Sequence, residues 1–206
     1  MRLLFLTGFL LAFALAVDGQ TSAPASAPPP AVATAAQGAW QLVPAHTKVR
    51  FSVAHFPFGS FQGRIEGASG VMQFDPKNLA ASHLEVKLPI DGVSTESAGF
   101  TAELKGPDWF DAARHPFMTF RSRTITTTGP ATADVAGDIT LRGITRPVVF
   151  QARFATTGAN SLDKGAAPGF EVRGVIRRRE FGMTRLEPFV SDEVRIVISA
   201  AFERAP

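Results

Sequence analysis

The stretch GDITLRGITRPVVFQARF at residues 137–154 decides the fold, because it holds two alternating segments on either side of a short break. In the first segment apolar side chains alternate with Asp138 and Thr140, and the second segment repeats the pattern. A period of two predicts half-buried β-strands. We expect the chain to turn at residues 142–146. Pro147 is then expected to be the first residue of the second strand, where its missing N–H matters least. Two such strands joined by a short connection form an antiparallel hairpin.

The same period of two recurs along the rest of the chain. Further alternating segments lie at residues 48–54, 64–74, 83–90, 118–128, 170–176 and 194–202. Residues 94–114 have apolar side chains at helical spacing instead, and they predict one short helix that ends near Gly106. About eight short strands separated by turn residues indicate a sandwich or an up-and-down barrel. An eight-stranded barrel is just wide enough either to fill itself with side chains or to hold one slender ligand.

The N-terminal segment has the features of an exported protein. Arg2 precedes an apolar run that ends before Asp18, short of the about 20 residues that span a bilayer, so residues 1–16 are predicted to be a cleaved signal peptide. Residues 17–39 are rich in proline and alanine and predict an extended linker. The folded domain is expected at residues 40–206. The chain has no cysteine that could carry a lipid anchor, so we predict a periplasmic protein without one.

Charge and motif content argue against several other functions. Basic residues are scattered except at residues 177–179, whereas nucleic-acid-binding proteins show a clustered basic stripe. The four histidines form no close metal-ligand pair, and neither a nucleophile elbow nor a glycine-rich phosphate loop is present. Asp108, Asp111 and His115 lie near aromatic residues, where turn and helix capping explains the carboxylates better than acid–base chemistry. We therefore predict a protein that is not an enzyme and that uses no metal or cofactor.

The interior of such a barrel is expected to be unusually apolar, because the chain has 18 phenylalanines and no tyrosine. Burial of an apolar ligand there contributes about 0.8 kcal/mol per methylene group. The period leaves two alternatives open: a hollow barrel that carries an apolar chain, and a solid-cored structural or interaction barrel that acts through loops at residues 56–61 and 156–169. The predicted ligand-binding residues are Phe51, Val53, Leu84, Val86, Leu88, Phe120, Ile139, Leu141, Phe150, Val172, Ile176, Arg178 and Ile198.

The three consecutive arginines at residues 177–179 allow two interpretations. Successive side chains on a strand alternate between faces, so at least one arginine would point inward or lie at the rim. Either all three are solvated and pair locally with Glu180, or Arg178 meets a phosphate or quinone oxygen at the barrel mouth.

Several short segments follow one another in an order and spacing that cover nearly the whole domain. They are Trp40 with PAHT at 44–47, VAH at 53–55, GSFQG at 59–63, Gly70 with FDP at 74–76, WFD at 109–111, HP at 115–116, FRS at 120–122, GDITLRGITRPV at 137–148, RREFGM at 178–183 and SDEV at 191–194. Together they resemble the YceI-like family of periplasmic polyisoprenoid-binding proteins.

This resemblance implies an all-β fold, an eight-stranded antiparallel lipocalin-like barrel with one short helical segment. It also implies a ligand inside the barrel, an isoprenoid lipid such as a polyprenyl phosphate or a quinone tail. A transient contact with the membrane or a membrane protein and a homodimer are associations that the sequence leaves open. Two departures from the family pattern stand out: residues 97–104 are less charged than the Arg- and Asp-containing helix often found in the family, and Trp109 stands where phenylalanine is usual.

Overall fold

We describe the protein from a computed structural model, in which the described residues are 37–57, 59–156 and 167–205. The predicted signal peptide, the predicted linker up to residue 36 and most of the predicted loop at 156–169 lie outside these residues. The first strand begins at Gly38, so the last two residues predicted as linker belong to that strand instead.

Within the described residues the chain forms eleven strands and one α-helix, and every pair of neighbouring strands is antiparallel. The elements are β1 (Gly38–Leu42), β2 (Lys48–His55), β3 (Gly59–Ile65), β4 (Ser69–Phe74), β5 (His83–Pro89), β6 (Val93–Ser94), α1 (Ala98–Lys105), β7 (Phe117–Gly129), β8 (Thr132–Leu141), β9 (Ile144–Thr156), β10 (Pro168–Arg177) and β11 (Val190–Arg204).

The sheet closes on itself as an eight-stranded ring of the described strands. Its order is β1–β4–β5–β7–β8–β9–β10–β11, and β11 returns to β1 where Arg204 pairs with Trp40. Strand β2 follows β1 after a kink at residues 43–47, and β3 leads into β4 through a second kink at residues 66–68. Strands β2 and β3 pair with each other. On their other sides β2 pairs with β11, and β3 pairs with the short β6. Gly67 lies in the second kink with a φ of 76°, a conformation that favours glycine. The predicted all-β, eight-stranded antiparallel barrel is confirmed.

The hairpin of β8 and β9 has a tighter turn than the sequence suggested. The turn consists of Arg142 and Gly143, whose φ angles of 53° and 73° are those of the two-residue turns that match the twist of paired strands. The predicted break at residues 142–146 is therefore too long, because Ile144 already pairs with Leu141. Pro147 lies inside β9 rather than at its start; there the strand has a ladder on one side only, which accommodates a residue without an N–H.

The predicted short helix is present as α1, and it covers one end of the barrel. The Ser97 side chain accepts a hydrogen bond from the Phe100 N–H at 3.3 Å and caps the helix, which ends before Gly106. Arg142 then donates hydrogen bonds to the Pro107 and Trp109 carbonyl oxygens and fastens the segment after α1 to the β8–β9 turn. We call this the capped end, the end covered by α1, residues 106–116 and residues 178–189. No helix among the described residues is long and apolar enough to cross a membrane.

The opposite end of the barrel is closed by phenylalanine rings. Phe170 packs edge-to-face against Phe74, Phe154 and Phe202, with ring centroids 5.6–5.9 Å apart. Edge-to-face contacts of this kind stabilise aromatic clusters beyond the burial of their area. The cluster therefore lines this end of the barrel interior with apolar rings.

Candidate functional site

Alternating strands place apolar side chains inside the barrel, and three glycines give the largest of these side chains room along the wall. A Cβ atom at Gly63 would lie 2.3 Å from the Phe51 ring, and one at Gly174 would lie 2.3 Å from the Phe150 ring. These rings therefore pack against the backbone of a neighbouring strand at positions that any other side chain would occupy. Phe120 lies over Gly137 in the same way. Bulky rings can thus line the lumen without filling it.

The lumen contains a cavity of about 210 Å³ whose accessible wall is entirely apolar. One water molecule needs only about 10–15 Å³ on this scale, so the space is no ordinary packing defect. Every predicted ligand-binding residue lines the cavity. These residues are Phe51, Val53, Leu84, Val86, Leu88, Phe120, Ile139, Leu141, Phe150, Val172, Ile176, Arg178 and Ile198. Their contact with a ligand stays a prediction.

Sequence reasoning missed a second group of lining residues, which come from the capped end. Leu104 lies on α1, Trp109 and Phe110 follow that helix, and Met183 lies in the connection before β11. Phe110 packs edge-to-face against Phe51 at a centroid distance of 6.2 Å. Such residues lie in segments without a period of two, so no pattern in the sequence marks them as inward-facing. The only sequence signal for these four residues was that their side chains are large and apolar.

An empty cavity of this size is costly for a protein of this size. At roughly 24 cal/mol per Å³ of unfilled volume, it would lower the free energy of unfolding by about 5 kcal/mol. The net stability of a whole domain is only about 5–15 kcal/mol. A large apolar cavity also stays dry and accepts apolar guests, because water finds no polar partner there. The geometry therefore favours occupation by an apolar molecule.

Arg178 is the predicted site residue whose environment differs most from expectation. Strand β10 ends at Arg177, and Arg178 begins a short 3-10 turn with its side chain only 2% exposed. Its guanidinium donates to four backbone carbonyl oxygens at 2.6–2.9 Å, and these belong to Met183, Arg185, Val190 and Ser191. Four of its five N–H donors are therefore used within the protein.

The first interpretation is wrong for Arg178, which is buried rather than solvated, because the connection before β11 folds over the guanidinium and supplies its acceptors. Its contact with a phosphate or quinone oxygen stays a prediction. The centroid of the Trp109 ring lies 5.5 Å from the guanidinium carbon, within the range of a cation–π contact. Burial lowers the pKa of Arg178 from its ordinary value, although an arginine stays protonated at neutral pH. The expected pair with Glu180 is also replaced, since Arg179 pairs with Glu187 at 3.2 Å.

The acidic residues considered for acid–base chemistry take part in contacts that hold the capped end. Asp108 lies 3.3 Å from Arg185, and buried Asp111 lies 3.8 Å from Arg114. His115 packs against Gly143 of the β8–β9 turn. Among the described residues, no group of three histidines and carboxylates could hold a metal ion. These side chains connect segments of the capped end, and none of them lines the cavity.

Comparison with known proteins places this barrel among related chains. The model of the YceI-like domain matches residues 40–202. Protein YceI of Escherichia coli O157:H7 is 32% identical over 155 residues, which cover 75% of this chain and 80% of that protein.

Two solved structures share the fold. Burkholderia cenocepacia BcnA superposes with a TM-score of 0.69 at 23% identity, covering 78% of this chain and 98% of that one. A polyisoprenoid binding domain from Saccharophagus degradans, implicated in plant cell wall breakdown, superposes with a TM-score of 0.61 at 12% identity, covering 81% of this chain and 98% of that one.

Proposed function

Since the chain belongs to the YceI-like family, we propose that it is a non-enzymatic periplasmic carrier that holds an isoprenoid-tailed lipid inside its barrel. The proposed ligand is a polyprenyl phosphate or a quinone with an isoprenoid tail. The observation that carries the proposal is the apolar cavity within a closed barrel. The description of the Saccharophagus degradans neighbour as polyisoprenoid binding supports it, although that property belongs to the neighbour. The periplasmic location rests on the predicted signal peptide at residues 1–16.

The shape of the cavity suits a long and slender molecule. Its lining on β11 runs from Val194 to Phe202, which corresponds to about 26 Å along the strand at roughly 3.3 Å per residue. Each buried isoprene unit would contribute about 3–4 kcal/mol at roughly 0.8 kcal/mol per carbon. Association itself costs about 4–15 kcal/mol. Several units must therefore enter before binding becomes favourable, which selects long isoprenoid chains over short ones.

The alternative of a solid-cored interaction barrel receives less support. Its premise is a lumen filled from end to end, whereas the phenylalanines pack against glycines along the wall and leave space between them. Residues 157–166 of the loop that this alternative invokes lie outside the described residues. A barrel that acts only through its loops would also gain nothing from a costly internal cavity.

The proposal is tested by identifying what the protein carries in its own cell. We expect native purification followed by lipid mass spectrometry to recover an isoprenoid lipid in stoichiometric amount. Delipidated protein should then bind added polyprenols or long-tailed quinones and gain thermal stability by mass action. Recovery of no apolar ligand, together with no binding of added isoprenoids, would exclude the carrier function.

A carrier must exchange its ligand with a membrane, and the capped end presents side chains suited to that contact. Phe56 and Phe189 are 64% and 59% exposed, and the Phe56 N–H donates to the Phe189 carbonyl oxygen at 2.9 Å, so the backbones of the two residues are adjacent. Leu186 is exposed in the same connection. Insertion of each large apolar side chain into a lipid surface contributes about 1.5–3 kcal/mol. We propose that this end docks transiently on the bilayer during exchange.

Replacing both phenylalanines by serine (Phe56→Ser with Phe189→Ser) should reduce ligand transfer between vesicles and protein by about 100-fold or more, because the loss of two inserted side chains removes about 3 kcal/mol or more of membrane affinity. Affinity for a dissolved ligand should stay unchanged, because neither residue lines the cavity. Val71→Ser is the control, since Val71 is 57% exposed on β4, away from the capped end, where it pairs with Gln41 and Glu85. Equal transfer rates for the double variant and the wild type would contradict docking at the capped end.

A further inference from the structure

The barrel wall splits between β9 and β10 near the capped end. The ladder between these strands runs from the pair of Pro168 and Thr156 to the pair of Arg173 and Gln151, and it ends there. Strand β9 nevertheless remains paired with β8 along residues 144–150, and β10 remains paired with β11 along residues 174–177. The two strands thus continue side by side beyond the end of their shared ladder.

A groove of about 270 Å³ lies along this split. Val149 and Val175 form its sides, and both are largely exposed. Its floor includes Ile139 and Ile176, which also line the internal cavity. The same two residues therefore line both the groove and the cavity, so the wall is thin at this point.

An amphiphile needs a place for its polar head that the cavity does not provide. The accessible cavity wall is apolar, and four of the five N–H donors of Arg178 are engaged by backbone carbonyl oxygens. Enclosing a charged head group without partners costs several kcal/mol or more. The tail can lie inside, whereas the head must stay at a polar opening.

The groove carries two guanidinium groups that can serve as partners for such a head. Among the described residues, Arg177 makes no side-chain hydrogen bond or ion pair, and Arg146 bonds only the Thr145 carbonyl oxygen at 3.2 Å. Glu180 also lines the groove. The described charged side chains of the groove, two arginines and one glutamate, therefore carry a net charge of one positive unit. Guanidinium groups bind phosphate oxygens with paired, charge-assisted hydrogen bonds.

We propose that the split between β9 and β10 is the lateral portal of the barrel and that its groove holds an anionic head group, the phosphate of a polyprenyl phosphate. The tail passes between Ile139 and Ile176 into the cavity, while Arg146 and Arg177 bind the phosphate within the groove. This inference rests on the proposed carrier function and names the ligand class at the same site.

The head-group part is tested with three probes: geranylgeranyl phosphate, geranylgeraniol and inorganic phosphate. Arg146→Gln with Arg177→Gln should weaken binding of geranylgeranyl phosphate at least ~10-fold, the effect of one charge-assisted hydrogen bond, and leave geranylgeraniol unchanged. Glu180→Gln should strengthen binding of the phosphate. Arg50→Gln with Arg195→Gln removes the same net charge from the exposed face of β2 and β11 and is the control.

Three results would overturn the head-group site: unchanged phosphate binding by the groove variant, equal losses in the groove and control variants, or inorganic phosphate binding as tightly as the lipid. If the wild type binds neither geranylgeraniol nor geranylgeranyl phosphate, the carrier function itself fails. If geranylgeraniol binds and the groove substitutions have no effect, the function stands and only the head-group site is wrong.

The portal part is tested by cross-linking. Because the sequence contains no cysteine, a thiol reagent reacts only with the cysteines that are introduced. Val149→Cys with Val175→Cys, bridged by a bifunctional thiol reagent, should slow loading of geranylgeraniol at least ~10-fold, and cleavage of the bridge should restore the rate. Arg153→Cys with Glu171→Cys bridges the same two strands where their ladder is intact and is the control. Normal loading of the bridged groove variant, or equal slowing by the control bridge, would refute a lateral portal.

Discussion

Val172→Trp is expected to abolish ligand binding while the barrel stays folded. Val172 lies on β10, pairs with Ile198 and lines the cavity. An indole at this position occupies lumen that the isoprenoid tail would use. Excluding three or four methylene groups costs about 3 kcal/mol, which corresponds to more than 100-fold in affinity. This is the largest binding effect that the structure predicts for a single substitution.

The stability of the same variant distinguishes a blocked cavity from a damaged fold. Filling part of an empty space recovers about 24 cal/mol per Å³, while strain from overpacking costs about 1–3 kcal/mol. The free energy of unfolding of the ligand-free protein should therefore change little. Isothermal titration with an isoprenoid and urea unfolding measure the two quantities.

Val197→Trp provides the control on the neighbouring strand. Val197 pairs with Arg173 on β10 but is 43% exposed on the outer face. We expect wild-type affinity for this variant. If Val172→Trp folds normally and still binds tightly, the ligand does not occupy the lumen.

Arg178→Met should lower the free energy of unfolding by about 4 kcal/mol, the largest stability effect we expect. The substitution leaves the carbonyl oxygens of Met183, Arg185, Val190 and Ser191 without their donor. Each buried acceptor left unpaired costs about 1–3 kcal/mol, reduced where water reaches it. For a domain of this length the loss corresponds to a midpoint lowered on the order of 10 °C. Thermal unfolding of ligand-free protein measures it.

Arg178→Lys tests whether the fork geometry or the charge matters. An ammonium group has three donors on a flexible stem and cannot reproduce the planar guanidinium, so we expect it to recover less than half of the lost stability. Arg179→Met is the control, because Arg179 is largely exposed and its ion pair with Glu187 contributes at most about 1 kcal/mol. A similar, small change in all three variants would show that Arg178 does not anchor the connection before β11.

Strand positions and the faces of their side chains could be predicted because they depend on local geometry. On β8 the alternation of Val135, Ile139 and Leu141 with polar residues predicts which side chains become buried, and all three are. The helix at residues 98–105 was predictable for a similar reason, since the helical spacing of its apolar residues and the glycine after its end are local signals. The predicted lining residues on the strands follow from the same period.

Arg178 shows where local reasoning stops. Its four acceptors come from residues 5 to 13 positions further along the chain, in a connection with no repeating pattern. An isolated strand with three arginines predicts exposure or a rim position, and only the fold of that connection converts the side chain into a buried anchor. The length of the turn at Arg142 and Gly143 was also predicted wrongly. The reason is that a positive φ at a non-glycine residue such as Arg142 is not marked by the residue type.

The amino-acid sequence by itself determined the all-β class, the inward and outward faces of the strands, the single helix and the family. Only the tertiary structure decided that the lumen is hollow, that Arg178 faces backbone carbonyl oxygens and that β9 separates from β10. The physical reason is the distance along the chain over which each property is determined. Side-chain direction along a strand is set by the adjacent peptide units, whereas an empty volume depends on how rings such as Phe51 and Phe150 pack over glycines of other strands.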